Sequence, residues 1–199
     1  MKPSKLLPTK SYAIVEDRKT GSRYISELVQ FMNERYGLDR GMKLVDDYPE
    51  RFISPVDTPR NQFGFIIEGK YKDERSGVVI ATLEEALIFG KHSKRVQWVN
   101  LDKIVAYPSN HNIMTDMIAL VRARLRFMRI PYAGLRTMSD GAHQAYSSVT
   151  DVNNDKFIQE GEYHTHGIGF SQPFNEQEEA IFTMINSQLQ KREPTLVPK

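Results

Sequence analysis

The sequence predicts a single α+β domain with a mixed or antiparallel sheet and about three main helices. Three observations carry that prediction. The chain has 199 residues, the size of one domain. Its content, 40% hydrophobic and 26% charged, supplies a core and excludes wholesale disorder. Segments of period 2 and period 3.6 follow one another without a regular β-α-β alternation, and nothing repeats at 20–50 residues.

The elements follow in order. Residues 1–10 hold two Pro and three Lys and read as a flexible arm; 11–192 form the domain and 193–199 a flexible tail. A strand is expected at 11–16, then a turn through Gly21. Ile25, Leu28, Val29 and Met32 set a helix over 24–36, capped by Ser22 and stopped by Gly37. Residues 38–62, with Pro49, Pro55 and Pro59, read as a long loop around one short strand. Segments 63–68 and 77–81 flank a charged turn as a hairpin. Thr82-Leu83-Glu84-Glu85 has capping-box spacing and predicts a short helix to Phe89. Two strands are expected at 95–99 and 103–107. The clearest helix spans 113–128, with Met114, Met117, Ile118, Val121, Leu125 and Met128 as its apolar stripe and Pro131 beyond it. Residues 144–163 predict a strand pair around the turn at 151–155, and the last helix runs over 176–190 with Asn175 as its cap.

The chain has no cysteine, which excludes disulfide scaffolds, thiol nucleophiles and Cys-ligated zinc. No apolar run reaches the roughly 18 residues of a membrane span, and the N-terminus lacks the apolar core of a signal peptide. The expected place is the cytoplasm, or a particle assembled there, with no membrane partner. The net charge of +2 hides an asymmetry. Residues 91–150 hold nine Lys+Arg against three acids, a net +6, and residues 151–180 hold one Lys against seven acids, a net −6. Such a dipolar chain suits internal pairing of its halves, head-to-tail self-association or an anionic partner.

The strongest local signal is Glu162-Tyr163-His164-Thr165-His166-Gly167, followed by Ser171. On a strand, residues i and i+2 share a face, so His164 and His166 present two imidazoles together. Two imidazoles, a carboxylate and a water make a catalytic zinc site. The stretch resembles the JAMM/MPN-type zinc metalloproteases in their Tyr-His-Thr-His-Gly variant, over about 14 of the 199 residues. That resemblance implies a zinc ion on His164 and His166, with Ser171 assisting the reaction. The family's Asp ligand falls on Phe174, so Glu176 or Glu178 is the third-ligand candidate. Gln62 stands where the family's acid would, which leaves Glu68 or Glu162 as the candidate base.

A second constellation is basic. Arg122, Arg126 and Arg129 recur at i, i+4 and i+7, opposite part of the apolar stripe, with Lys94 and Arg95 upstream and Trp98 and Tyr107 as aromatics. This spacing fits a nucleic-acid backbone or another partner and predicts an exposed arginine face. Ser139-Asp140-Gly141-Ala142-His143, before Tyr146, reads as a glycine turn with a surface histidine, or as an Asp and a His three apart that join a metal site if the fold brings them to His164. No phosphate-loop or dinucleotide fingerprint is present. Two functional classes therefore remain. One is a zinc-dependent hydrolase of peptide or isopeptide bonds, active or degenerate, acting on a protein substrate. The other is a non-enzymatic structural, assembly or interaction protein of a phage or mobile element, contacting nucleic acid through the basic helix.

Overall fold

A computed structural model describes residues 10–16, 62–88, 94–106, 111–137, 140–151, 153, 155–160, 163–169 and 176–190, together with Arg23 and Glu27. The tail, residues 1–9 of the arm, the loop up to residue 61 and all of the 24–36 helix except Glu27 lie outside them. Strands β1 (Lys10–Val15), β2 (Gln62–Tyr71), β3 (Glu74–Ile88) and β4 (Lys94–Ala106) form an antiparallel meander. Helix α1 (Ile113–Met128) then crosses to β5 (Ala133–Thr137), which runs parallel to β4. A parallel neighbour requires such a crossover. Helix α2 (Asp140–Ser147), the antiparallel pair β6 (Lys156–Glu160) and β7 (Tyr163–Ile168), and α3 (Glu176–Gln190) complete the described chain. The order β1-β2-β3-β4-β5-β7-β6 makes one mixed seven-stranded sheet. With its three described helices, the domain is α+β.

Each face of the sheet has its own core. Phe65, Ile67, Val79, Ala81, Val99 and Leu101 lie under α1, whose Ile113, Met117, Val121 and Leu125 are buried against them. Val96 and Trp98 alternate onto the other face, under Ile181, Phe182, Ile185 and Leu189 of α3. Gly134 lets α3 close down on the seam, because a Cβ there would stand 2.6 Å from Ile185 Cγ2. Helix α1 keeps its expected bounds. It ends with Arg129 in the left-handed region (φ 57°), the N–H of Arg129 donating to Arg126 O and that of Ile130 to Leu125 O. Glycine or asparagine ordinarily fills such a position.

Three expectations change. The capping-box segment at 82–89 is strand, not helix, through Ile88. Thr82 to Ile88 stay in register with Asn100 to Lys94, and the gain from pairing outweighs the local signal. The two strands expected at 95–99 and 103–107 are one strand, interrupted by a bulge. Ala81 pairs with Leu101 and Ile80 with Lys103, so Asp102 is the extra residue. That extra residue keeps Leu101, Ile104 and Ala106 all on the α1 core and bends the strand. Finally, 144–147 belongs to helix α2; the strand pair is β6 with β7.

Candidate functional site

The sheet opens at its centre. Strand β4 spans 13 residues, yet it pairs with β5 only through Val99 with Ala133 and Asn100 with Gly134. One further bond crosses the seam, the Val99 N–H donating to the Tyr132 carbonyl at 3.0 Å. Beyond Asn100, β4 bends at its bulge while β5 turns to β7, with which Leu135, Arg136 and Thr137 pair. The two strands thus offer facing edges, with no strand between them among the described residues. Edge N–H and C=O groups are obligatory hydrogen-bonding groups and take any extended partner that supplies amides. The opening also lies at the carboxyl ends of a parallel pair, where open α/β sheets place their ligands.

Helix α1 spans this region. It starts over β2 and β3, where a Cβ on Gly77 would meet Ile113 and Met117. Its N-terminus has no side-chain cap; Asn112 sits at φ 56° without such a bond. The free N–H groups of a first turn favour anions. The acid of that turn, Asp116, is tied off by the Lys10 ammonium and by the Tyr12 hydroxyl at 2.6 Å. Burial alone would raise the Asp116 pKa, but those two bonds hold it below the usual carboxylate range. The same contact, together with burial as the larger cause, raises the Tyr12 pKa.

On the α1 face of β7, His164 pairs with Thr137 and His166 with Leu135. Both histidines are buried. Helix α2 lies over them and carries His143 and Tyr146, three apart and therefore neighbours on one side. The His143 and His164 rings stack at 3.9 Å and 10°, and His143 Nδ1 shares a hydrogen bond with His166 Nε2 at 3.3 Å. Tyr146 rests at 5.4 Å from the His166 ring, level with Leu135, one residue beyond the last β4–β5 pair. Burial raises the Tyr146 pKa, so the phenol keeps its proton at neutral pH. Burial, then the charges of His143 and His164, lowers His166 to about 4, so that ring is neutral at pH 7. His143 is therefore not a surface histidine on a turn, and Tyr146 was not singled out in the sequence. The helical spacing His143-x-x-Tyr146 was the signal that could have found both.

The other predicted site residues are scattered. Glu178 is buried and Glu176 exposed, both on α3, which covers the face of the sheet opposite the histidines. Glu68 accepts a hydrogen bond from Arg75 Nε at 2.9 Å, and β2 is four strands from β7, a separation of about 19 Å. Ser171 and Glu162 lie outside the described residues. The arginine face is divided. Arg122 is held by both oxygens of Asp155, whereas Arg126 and Arg129 are exposed. Lys94 and Arg95 are exposed at the start of β4, with Arg95 3.8 Å from Glu85.

No protein-family model matches the sequence, and no curated protein does. Its fold is similar to those of several solved acetyltransferases. One, from Streptococcus agalactiae, is 13% identical over 81% of this chain and 98% of its own, with a TM-score of 0.48. An acetyltransferase of the GNAT family from Streptococcus pneumoniae is 12% identical over 79% and 98%, TM-score 0.42. A Thermoplasma acidophilum N-acetyltransferase in complex with coenzyme A is 8% identical over 80% and 99%, TM-score 0.43.

These findings correct the functional expectations. The likeness in fold is to acetyltransferases, not to JAMM/MPN metalloproteases, and neither the hydrolase reading nor the phage-assembly alternative finds support. Among the described residues, no group of three or more His, Asp or Glu is arranged to hold a metal ion, which corrects the zinc expectation. The reason is geometric. Stacked imidazoles send their lone pairs along parallel lines rather than to one point, and the nitrogens of His143 and His166 face each other in a hydrogen bond. The acids meant to complete the site stand on the wrong face or on a distant strand. Among the described residues, no helix is long and apolar enough to cross a membrane.

Proposed function

We propose that this protein transfers an acyl group from a coenzyme A thioester, held in the opening between β4 and β5, to an amine. The observation that carries this reading is the opening itself, two facing strand edges at the only parallel junction among the described strands. The residues present fit such a donor. The edges beyond Asn100 and Gly134 match an extended arm bearing amides, as a missing strand would. The uncapped start of α1 suits phosphates, its one acid being neutralised by Lys10. Coenzyme A supplies the activated thioester carbonyl. Tyr146, kept protonated by burial, is the group to give a proton to a departing thiolate. His166, with its pKa near 4, is too weak a base for the amine at pH 7, so the acceptor enters as its free base. As the C–N bond forms and the C–S bond breaks, the proton that the nitrogen loses passes to solvent. Tyr146, having protonated the thiolate, regains one from solvent. Such a donor belongs to the cytoplasm, the compartment that the cysteine-free sequence also predicts.

Calorimetric titration of the full chain with acetyl-CoA should give saturable binding, with free coenzyme A competing. Turnover should release free thiol, read with a thiol reagent against a protein background of zero, since the chain has no cysteine. Replacing Tyr146 by Phe should preserve donor binding and slow thiol release about a hundredfold, the scale of a lost general acid. Absence of saturable binding at about 1 mM donor, a threshold of roughly −4 kcal/mol, would falsify the reading.

A further inference from the structure

A cavity of about 350 Å³ lies at the other end of α1, at the low end of the size range of small-molecule sites. Because α1 runs back from the end of β4 to the start of β5, this cavity is at the opposite end of the sheet from the β4–β5 opening. Arg122, Arg126 and Arg129 line it, above an apolar floor that includes Leu125, Ile130 and Ile168. We infer that it binds a small organic dianion with an apolar body, such as an aryl phosphate or an aromatic dicarboxylate.

Charge arithmetic favours an anion. Asp155 holds Arg122 with both oxygens, so that pair is neutral overall. Arg126 and Arg129 are exposed, and their side chains have no partner among the described residues. The carboxyl end of a helix opposes them with roughly half a negative charge, which leaves the cavity strongly positive. Each guanidinium carries paired N–H donors in a fixed fork, which suits a phosphate or carboxylate.

The backbone around the cavity is committed to this shape. Asp155, besides holding Arg122, accepts from the Gly169 N–H at 3.4 Å and the Asp151 N–H at 2.8 Å. Gly169 stands at φ 89°, and a Cβ there would approach Pro131 O to 2.5 Å, so the two walls meet as only glycine allows. Arg129 occupies the left-handed end of α1 at φ 57°, where glycine is the easier residue. An arginine held in a conformation that suits glycine points to use of its side chain.

The test is calorimetry on the full chain with phenyl phosphate, phthalate and inorganic phosphate. Phenyl phosphate or phthalate should bind at least about tenfold more tightly than inorganic phosphate, because the floor contributes; the tighter of the two identifies the headgroup. Arg126→Ala and Arg129→Gly should each weaken that binding about tenfold. Arg129→Gly should at the same time raise the Tm of the free protein, since glycine relieves the helix end. A merely structural arginine would not separate stability from binding in that way. The inference is overturned if neither aromatic anion binds saturably, if both variants bind unchanged, or if inorganic phosphate binds as well as they do. It is overturned equally if acetyl-CoA displaces the anion, or if a DNA oligonucleotide binds this face and the small anions do not.

Discussion

Strands β2, β3 and β4 run for 10, 15 and 13 residues, whereas β5, β6 and β7 run for 5, 5 and 6. The long half buries aliphatic residues such as Ile66, Ile67, Val79 and Ile80. The short half and the helix over it hold His143, His164, His166 and Tyr146. Two residue pairs and the Val99–Tyr132 bond join the halves. Side chains must therefore hold what the backbone ladder does not: α3 clamps the seam through Trp98, and α1 clamps it through Leu125. A sheet made this way keeps a rigid platform and an opening in one domain, at the cost of a weak central ladder.

The largest expected effect breaks that clamp. Trp98 is fully buried against α3, and Trp98→Ala should cost about 3–5 kcal/mol in urea unfolding followed by circular dichroism. A cost under about 1 kcal/mol would show that the backbone, not α3, holds the halves together. Next comes Gly134→Ala. Its Cβ would stand 2.6 Å from Ile185 Cγ2 and 3.3 Å from Trp98 Cζ3, an overpacking of about 1–3 kcal/mol. Combined with Ile185→Ala, the double variant should lose less than the sum of the two single losses, since the second change makes room for the first.

Acid should act on the short half. His166 has a folded pKa near 4, below the unfolded value of about 6.5, so the unfolded chain binds the extra proton between them. Its contribution is fully present above about pH 6.5 and is lost as pH falls toward 4. Around it stand His164 on its own strand, His143 and Tyr146 on α2, and Asp155, whose charge acts the other way. In His166→Gln the Tm should fall less between pH 7 and 4.5 than in the wild type. Equal slopes would place the acid sensitivity elsewhere.

The same division explains what the sequence revealed. The helices at 113–128 and 176–190 were legible to the residue because an amphipathic stripe is a local signal. β3 beyond Ala81 was not, since its partner lies in β4 and the capping-box spacing at Thr82 argued locally for helix. β5 carries no local signal: Ala133-Gly134-Leu135 has no alternation to read, and its place comes from the Val99 and Ile168 registers. At the site, i and i+2 correctly put His164 and His166 on one face. Which face the Glu176 and Glu178 helix would cover is a tertiary fact, and that placement takes both acids away from the histidines. The opening leaves no motif at all, because it consists of pairs that do not form.

The smallest expected effect lies at the start of the long half, in the β3–β4 ladder beyond its contact with β5. Arg95 and Glu85 approach to 3.8 Å with side chains 81% and 39% exposed. Exposed pairs gain little Coulomb energy in high dielectric, lose side-chain entropy and are screened by salt. Arg95→Ala should therefore change stability by less than about 0.5 kcal/mol, with no change between low and high salt beyond that margin. The backbone ladder from Glu85 with Gln97 to Ile88 with Lys94 remains in place without the ion pair. A loss above about 1 kcal/mol would mean that this end of the ladder depends on its charges, and the contrast between a self-supporting half and a clamped one would no longer hold.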